Sequence, residues 1–528
     1  MLRIDQIRIS IHDNQVELKN KILKILHIDE TEMLEYSIHR KNVDARQQPI
    51  FFIYSVNVEV KDEKRILRKK IKNVRSIANV QYSYPNSGII EMKHRPIIVG
   101  FGPAGMFCAL TLAKCGYRPI VFEQGSAVEQ RVKDVDEFIR TGTLNEWSNI
   151  QFGEGGAGTF SDGKLTARTK DLRVHKIYEE FVAYGAPEEI LYEAYPHIGS
   201  DKLIEVVRNV REAIIEFGGE IHFNCKVEEL ISHNGRVCGV VTDNKKYESD
   251  VVILALGNSA RDSFIKFYDQ GLQMEAKPFA VGLRIEHPQK SINEALYHSE
   301  WNNPSLPIAS YRLQHQWEGK GVYTFCMCPG GEVVAATSRR GHVVVNGMSN
   351  YARDKQNANA AILVQVDQTD YGIDTFSGMQ FQERLEKDAF ILGGENYKAP
   401  AQKVYDFLGN EPSNQEVIQP SYPLGVTYID FHHLFSPKIC AALQQGIKDF
   451  QKKNKAFRNE NAVLTGVETR SSSPLRIIRD KEMQSISLAK VYPIGEGSGY
   501  SGGIVSSAID GLKCAEKIIE IYDNQRVL

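Results

Sequence analysis

Residues 96–105 read Pro-Ile-Ile-Val-Gly-Phe-Gly-Pro-Ala-Gly. An apolar run ending at Val99 meets Gly100, Gly102 and Gly105 in G-x-G-x-x-G spacing, with Pro103 and Ala104 between the last two, and a stretch rich in Ala and Leu follows. A strand that feeds a helix through such a turn presents backbone N–H groups and a positive helix end to a phosphate-bearing ligand. With 41 Gly in 528 residues, chance supplies about a quarter of a match to this spacing. The chain has three, starting at Gly100, Gly153 and Gly497. Only after Gly100 does a second strand follow the helix, Tyr117 to Glu123, ending in an acid 23 residues past the first glycine. There a carboxylate can accept the ribose hydroxyls of an adenosine.

A second glycine-rich loop, 495–503, lies almost a full chain away, between an apolar strand (Val491 to Ile494) and a helix expected from Ile504 to Ile519. Its acids, Glu516 and Glu520, fall on the helix or at its end, so Gly495, Gly502, Gly503 and Ile504 serve another part of the ligand. Between the two loops, 152–163 is too rich in glycine for regular structure and offers Gly155, Gly156, Ala157 and Gly158 as a middle contact. A long cofactor held at both ends is the reading, and FAD fits it. Using the first loop alone, an NAD-dependent dehydrogenase is the alternative, and it leaves the second loop unexplained.

Composition is that of a globular enzyme large enough for two or three cores. A formal charge of −2 argues against DNA as a partner. No apolar run has the length of a membrane helix, and the start lacks the order of a signal peptide, so a cytoplasmic protein is expected. Eight cysteines contain no C-x-x-C pair, which removes the usual zinc signature and the dithiol of disulfide reductases. No metal site is expected; His432 and His433 are adjacent but lack a third ligand at a recognisable spacing.

Four segments emerge in an α/β chain. Residues 1–94 read as a small ferredoxin-like α+β domain, with strands at 2–10 and 50–60 and helices at 17–26 and 64–77. This segment carries 17 Lys plus Arg against 12 Asp plus Glu, so an RNA or partner surface stands beside the blander reading of a solvated helix. Residues 95–271 read as the first part of a Rossmann-like FAD/NAD(P)-binding domain. It contains a helix at 201–217, a strand at 220–224, an antiparallel meander around Val227, Val237 and Tyr247, and a buried strand carrying Ala255 and Gly257 at its end. Residues 272–485 read as an inserted, β-rich substrate domain, and 486–528 complete the cofactor domain. The insertion has no further G-x-G-x-x-G, so no dedicated nicotinamide domain is present, and NAD(P)H enters only as a transient electron partner.

Glu123 with Gln124 and Gly125, Arg131, the strand end at Gly257 and the Gly495–Glu496 loop resemble the glutathione-reductase-type FAD fold. More narrowly, the blocks FGEGGAGTFSDGKL (152–165), RIEHPQ (284–289), FCMCPGG (325–331), VETRSSSPLRI (467–477) and GEGSGYSGGI (495–504) are similar to a bacterial family of FAD-dependent oxidoreductases labelled NAD(FAD)-utilising dehydrogenases, whose substrate is not established. The resemblance implies that Gly100, Gly102 and Gly105 cradle the pyrophosphate, Glu123 holds the ribose and Arg131 reaches the phosphates. It further implies that the backbone at Val227 contacts adenine and that the helix from Ile504 points its positive end at the flavin N1–C2=O edge. Where the general fold has Gly-Asp beside the ribityl chain, this chain has Gly495-Glu496.

On the substrate side, Cys326 and Cys328 lie two apart on a strand and would share a face, as a redox pair or as apolar filler. Arg470 and Arg476 flank Ser471–Pro474, as an anion site or a capped turn. His287 is a candidate general base or a core residue. Hydride transfer between a small organic molecule and the flavin N5 leads; a flavoprotein sensor or an RNA-associated protein stays open beside it. The oligomeric state is not encoded in any motif.

Overall fold

The computed structural model describes residues 1–13, 15–78, 81–167, 169, 171–411 and 417–524. Its centre is a five-stranded parallel sheet in the order Val491–Pro493, Val252–Leu254, Ile97–Val99, Ile120–Phe122, Glu220–His222. The first four strands are fully buried, as the continuous apolar runs of a parallel sheet require. Helix Pro103–Lys114 starts on a proline, whose missing N–H costs nothing there, and is buried from Ala104 to Ala113. Helix Ile504–Ile521 crosses it so closely that a Cβ on Gly511 would overlap the Ala104 carbonyl. The two glycine-rich turns therefore open side by side, although nearly the whole chain separates them.

A three-stranded antiparallel meander (Val227–His233, Arg236–Thr242, Lys245–Glu248) flanks this sheet. The region between is built on a seven-stranded sheet, in the order Gln314–Trp317, Lys320–Cys328, Asn357–Val366, Phe279–Pro288, Val463–Glu468, Ala399–Lys403, Val426–Tyr428. All its pairs are antiparallel except the last. Strand Phe279–Pro288 is buried at every residue. A short ladder, Met274–Ala276 against Leu475–Ile477, ties the two ends of this region together where it leaves and rejoins the central sheet.

The first 76 residues form a four-stranded antiparallel sheet in the order Met33–Asp44, Phe51–Val60, Leu2–Ser10, Val74–Ser76, with helices Gln15–Leu26 and Glu63–Arg68. The helix expected over 64–77 is shorter: Asp62 caps its start, and Lys70 and Asn73 adopt φ of 49° and 63°, which no helix continues through. Residues 81–94, read from sequence with this small unit, lie instead on the cofactor-sheet side. Ile90–Glu91 pairs with Tyr522–Asp523, and the Tyr82 hydroxyl donates to Glu516. Among the described residues no helix is long and apolar enough to cross a membrane, and no group of three or more metal-ligating side chains occurs.

Candidate functional site

A cavity of about 1360 Å³, its mouth included, opens at the carboxyl ends of the parallel strands, between the central sheet and the inserted region. That is where ligands enter doubly wound sheets. Gly100, Gly102, Pro103 and Ala104 form one wall. Gly100 needs to be glycine for the fold itself, with φ at 101° and a Cβ position 2.6 Å from the Ala255 carbonyl oxygen. Gly105 also serves packing, since a Cβ there would overlap the Gly100 carbonyl; it lets helix and strand approach and does not line the cavity, so its expected contact with the pyrophosphate is corrected. Gly102 has neither reason: its backbone is extended, and a Cβ would meet only the Gly156 Cα, at 3.8 Å.

Glu123 ends the second strand and lines the same cavity. Its carboxylate accepts the N–H of Phe101 at 2.8 Å, of Gly125 at 2.9 Å and of Gly153 at 3.0 Å, which ties three loops to one side chain. Gly156, Ala157 and Gly158 line the cavity opposite the first turn. Gly155 does not: its φ is 81°, its Cβ would overlap Thr159 Oγ1, and its N–H donates to the Phe101 carbonyl, so it shapes the loop from behind.

Arg131 does not reach any phosphate-binding position. It is wholly buried, and its guanidinium donates to the carbonyls of Asn149 (2.8 Å), Ile150 (2.9 Å) and Glu154 (2.6 Å), with Phe160 packed at 4.8 Å from its centre. It moulds the loop that carries Gly153 and Gly156. Gln124 borders an adjoining cavity, lined also by Trp147, Lys226 and Arg261, that shares Phe152, Ser259 and Arg470 with the main one. Val227 is buried behind Lys226 at the start of the meander and lines neither cavity with its side chain.

Ala255, Gly257 and Asn258 follow strand Val252–Leu254 into the cavity, and Gly495, Glu496, Gly502, Gly503 and Ile504 complete the far side. The Gly495 N–H donates to Asp510 at 2.8 Å, and Arg479 holds that same carboxylate at 2.9 and 2.8 Å. The helix from Ile504 is capped by Gly503, which offers no side-chain acceptor. Its first-turn N–H groups thus face whatever the cavity holds. Burial pushes the Glu496 carboxyl up to about 7, against the opposing pull of Lys277 and a 2.7 Å hydrogen bond from Asn258.

The inserted region contributes Phe325, Cys326, Cys328, Asn346, Gly347, Glu468 and Ser471. Cys326 and Cys328 both line the cavity but do not share a strand face as expected. The ladder shifts register between Phe325 and Cys328, and Cys326 sits at φ 40°, leaving its thiol exposed while Cys328 is buried. That exposure is to the interior of the cavity, and desolvation there pushes the Cys326 thiol up to about 12. Glu468 is held by Arg284, with Nε to Oε2 at 2.6 Å and Nη2 to Oε1 at 3.3 Å.

Arg470 lines both cavities but is fully committed: Glu386 takes it at 3.0 and 2.9 Å, and Ser259 and Ser338 accept at 2.8 and 2.6 Å. Arg261 holds the same Glu386 at 2.8 Å through each Nη. Arg476 lies outside the cavity, near Glu275 and the Tyr500 ring. Of the two readings of His287, the core residue is the one the structure shows. It is wholly buried against the rings of Tyr311 and Phe457, neither ring nitrogen has a partner among the described residues, and burial brings its pKa down to about 3. Reading the sequence missed Lys164, Asp162, Asn346 and Glu468, which line the cavity, and Arg284, which holds Glu468 from behind. Lys164, Asp162, Glu468 and Arg284 lie in the glycine-rich, VETRSSS and RIEHPQ blocks, and the concentration of charge inside those blocks was the available signal.

Residues 278–471 match the family described as "FAD-dependent protein, C-terminal domain-like", and residues 1–59 match a "Domain of unknown function (DUF8436)". An uncharacterised protein of Clostridium beijerinckii (strain ATCC 51743 / NCIMB 8052) is 45% identical over 534 residues, covering 99% of each chain. Among solved structures, the chain is similar to glycine oxidase from Bacillus cereus ATCC 14579 (11% identity, 81% of this chain and 95% of that one, TM-score 0.30). It is also similar to L-proline dehydrogenase from P. horikoshii (12% identity, 81% and 93%, TM-score 0.34).

Proposed function

The chain belongs to the family of the Clostridium beijerinckii protein, and we propose that it is an FAD-dependent oxidoreductase acting on a small organic substrate. One observation carries this reading above the rest. Gly102, Gly257, Gly502 and Gly503 line the cavity, none needs a left-handed backbone, and a Cβ on any of them would approach no protein atom more closely than 3.8 Å. Nothing in the protein's own packing calls for glycine at these positions. A ligand lying flush against the backbone does. The four lie on three separate segments, so that ligand runs the length of the cavity, as FAD would.

In this assignment the Gly100–Ala104 turn and Gly156–Gly158 hold the pyrophosphate, Glu123 the adenosine ribose, and Gln124 and Lys226 border the adenine. Glu496 and Asn258 hold the ribityl hydroxyls, and the first turn of the helix from Ile504 supports negative charge on the flavin ring. When bound, FAD supplies a site that accepts or returns two electrons with a proton. The chain's own residues bind and orient: Cys326, Asn346 and Glu468 wall the space left for the substrate, and Arg284 keeps the Glu468 carboxylate in place. A nicotinamide, NAD(P)H, serves as a transient electron partner from solution. Denaturing the purified protein and chromatographing what it releases tests the reading. FAD in a ratio near one per chain is expected, and a protein that neither carries nor takes up FAD refutes it.

A further inference from the structure

At the end of the cavity walled by the inserted region, the ionic groups pair off except one. Asp162 receives Arg353 Nε at 2.9 Å and Nη2 at 2.6 Å, and Glu468 receives Arg284 in the same forked manner. Each carboxylate has its own guanidinium. Lys164 lines the same cavity, and among the described residues its ammonium has one anionic neighbour, Asp162 Oδ2 at 3.9 Å, already committed to Arg353. Its side chain is 35% exposed, so the charge opens to the cavity without the full hydration of bulk water. Burial holds the Cys326 and Cys328 thiols high, and Lys164 is among the cations pulling them the other way. Lys164 lines the cavity together with Cys326, Cys328 and Asn346.

Resting on the FAD reading above, we propose that Lys164 anchors the anionic group of the substrate and that the substrate class is small monocarboxylates. One unmatched cation suits a monoanion; a phosphate ester, close to a dianion, calls for a second cation that the described residues do not place at this end. Asn346 completes the subsite. Its Oδ1 accepts from Arg284 at 2.8 Å, which leaves the amide N–H groups as donors for a ligand in the cavity that Asn346 and Lys164 both line.

The test uses a probe pair of equal shape and different charge. Flavin-loaded protein is titrated with benzoate and with benzamide, reading the flavin absorption shift and, independently, the heat of binding; Lys164→Met and Lys164→Arg are treated alike, with flavin content measured in each. Benzoate is expected to bind the wild type at least about tenfold tighter than benzamide, the margin of one charge-assisted contact. Lys164→Met is expected to erase that preference with flavin content unchanged, and Lys164→Arg to keep most of it. Equal binding of the two probes, binding of neither, or a preference that survives Lys164→Met overturns the proposal. So does loss of flavin from Lys164→Met, which would give Lys164 to the cofactor's phosphates. A wild-type protein that takes up no flavin refutes the FAD reading instead, and the heats of binding then decide Lys164 by themselves.

Discussion

Gly102 and Gly100 sit two residues apart in one turn and are glycine for different reasons, so their substitutions should separate. Gly102→Val brings its Cβ only into ordinary contact with the Gly156 Cα, at 3.8 Å, and keeps an allowed backbone; it should cost about 1 kcal/mol as a poorer helix cap while removing FAD, because its side chain fills the space proposed for the pyrophosphate. Gly100→Ala meets the Ala255 carbonyl and a φ of 101°, and should cost about 2–4 kcal/mol in urea unfolding, whatever its flavin content. Full flavin content in Gly102→Val would show that this turn does not touch the cofactor. Glu154 makes a second residue-level case. It is wholly buried, Oε2 accepts from Val128 and Arg211 at 2.7 and 2.9 Å, and Oε1 has no partner. Burial lifts its carboxyl from 4.5 to about 7. Because the folded-state value is raised, the contribution to stability is complete below about pH 4.5 and is lost as pH climbs through 7. Glu154→Gln should therefore flatten the fall in unfolding free energy between about pH 5 and 8, by on the order of 2 kcal/mol. An unchanged slope would mean that the carboxyl titrates normally.

Three elements meet at Glu386: helix Arg261–Asp269 through Arg261, helix Ser377–Gly393 through Glu386 itself, and the segment after strand Val463–Glu468 through Arg470. Burial alone would raise this carboxyl, but the two guanidiniums overcome it and hold it well below the usual range. Removing the acid leaves two buried cations facing one another. Glu386→Ala should cost about 3–5 kcal/mol in chemical denaturation, and a loss under 1 kcal/mol would mean that water replaces the carboxylate at no penalty. This triad also marks where sequence reading stops. The turns at Gly100 and Gly495 and the acid at Glu123 were legible because strand, turn and helix are fixed by local spacing. Arg470 was singled out, but its partner is 84 positions away, and nothing local distinguishes a guanidinium aimed at a ligand from one aimed at Glu386. Arg131 was misread for the same reason, and His287 stayed open between base and core, since their surroundings are supplied by the loop at 149–154 and by Tyr311 and Phe457. The Cys326 and Cys328 alternation failed through a bulge in their own strand, which shows only in its register against the neighbouring strand Asn357–Val366.

At the scale of the whole molecule, the apolar core of the first 76 residues is continuous with that of the inserted region, and a few polar contacts add to it. Lys41 exchanges backbone hydrogen bonds with Tyr192 and Ala194 at 2.7 and 2.9 Å and pairs with Glu193 at 3.2 Å; Gln48 reaches the Tyr297 carbonyl, and His12 lies near Glu300. Among the described residues, none before Gly100 lines either cavity. The excess of basic residues in this unit is also less available than its count suggests. Arg65 is paired with Glu32, Lys19 with Glu30 and Arg75 with Asp5, while Lys69 and Lys21 donate to backbone carbonyls. A nucleic-acid surface gains its affinity from cations free to replace counterions on phosphate, and pairs already closed within the fold contribute little of that. Deleting residues 1–80, while keeping the 81–94 segment that packs on the carboxyl-terminal helix, should leave one FAD per chain. Full-length protein should show no RNA retention near 150 mM salt that the truncated protein lacks. Salt-sensitive retention lost on truncation would restore RNA binding as the role of this unit, and a truncated protein that folds but loses its flavin would tie the unit to the cofactor site through the Tyr192–Ala194 contact.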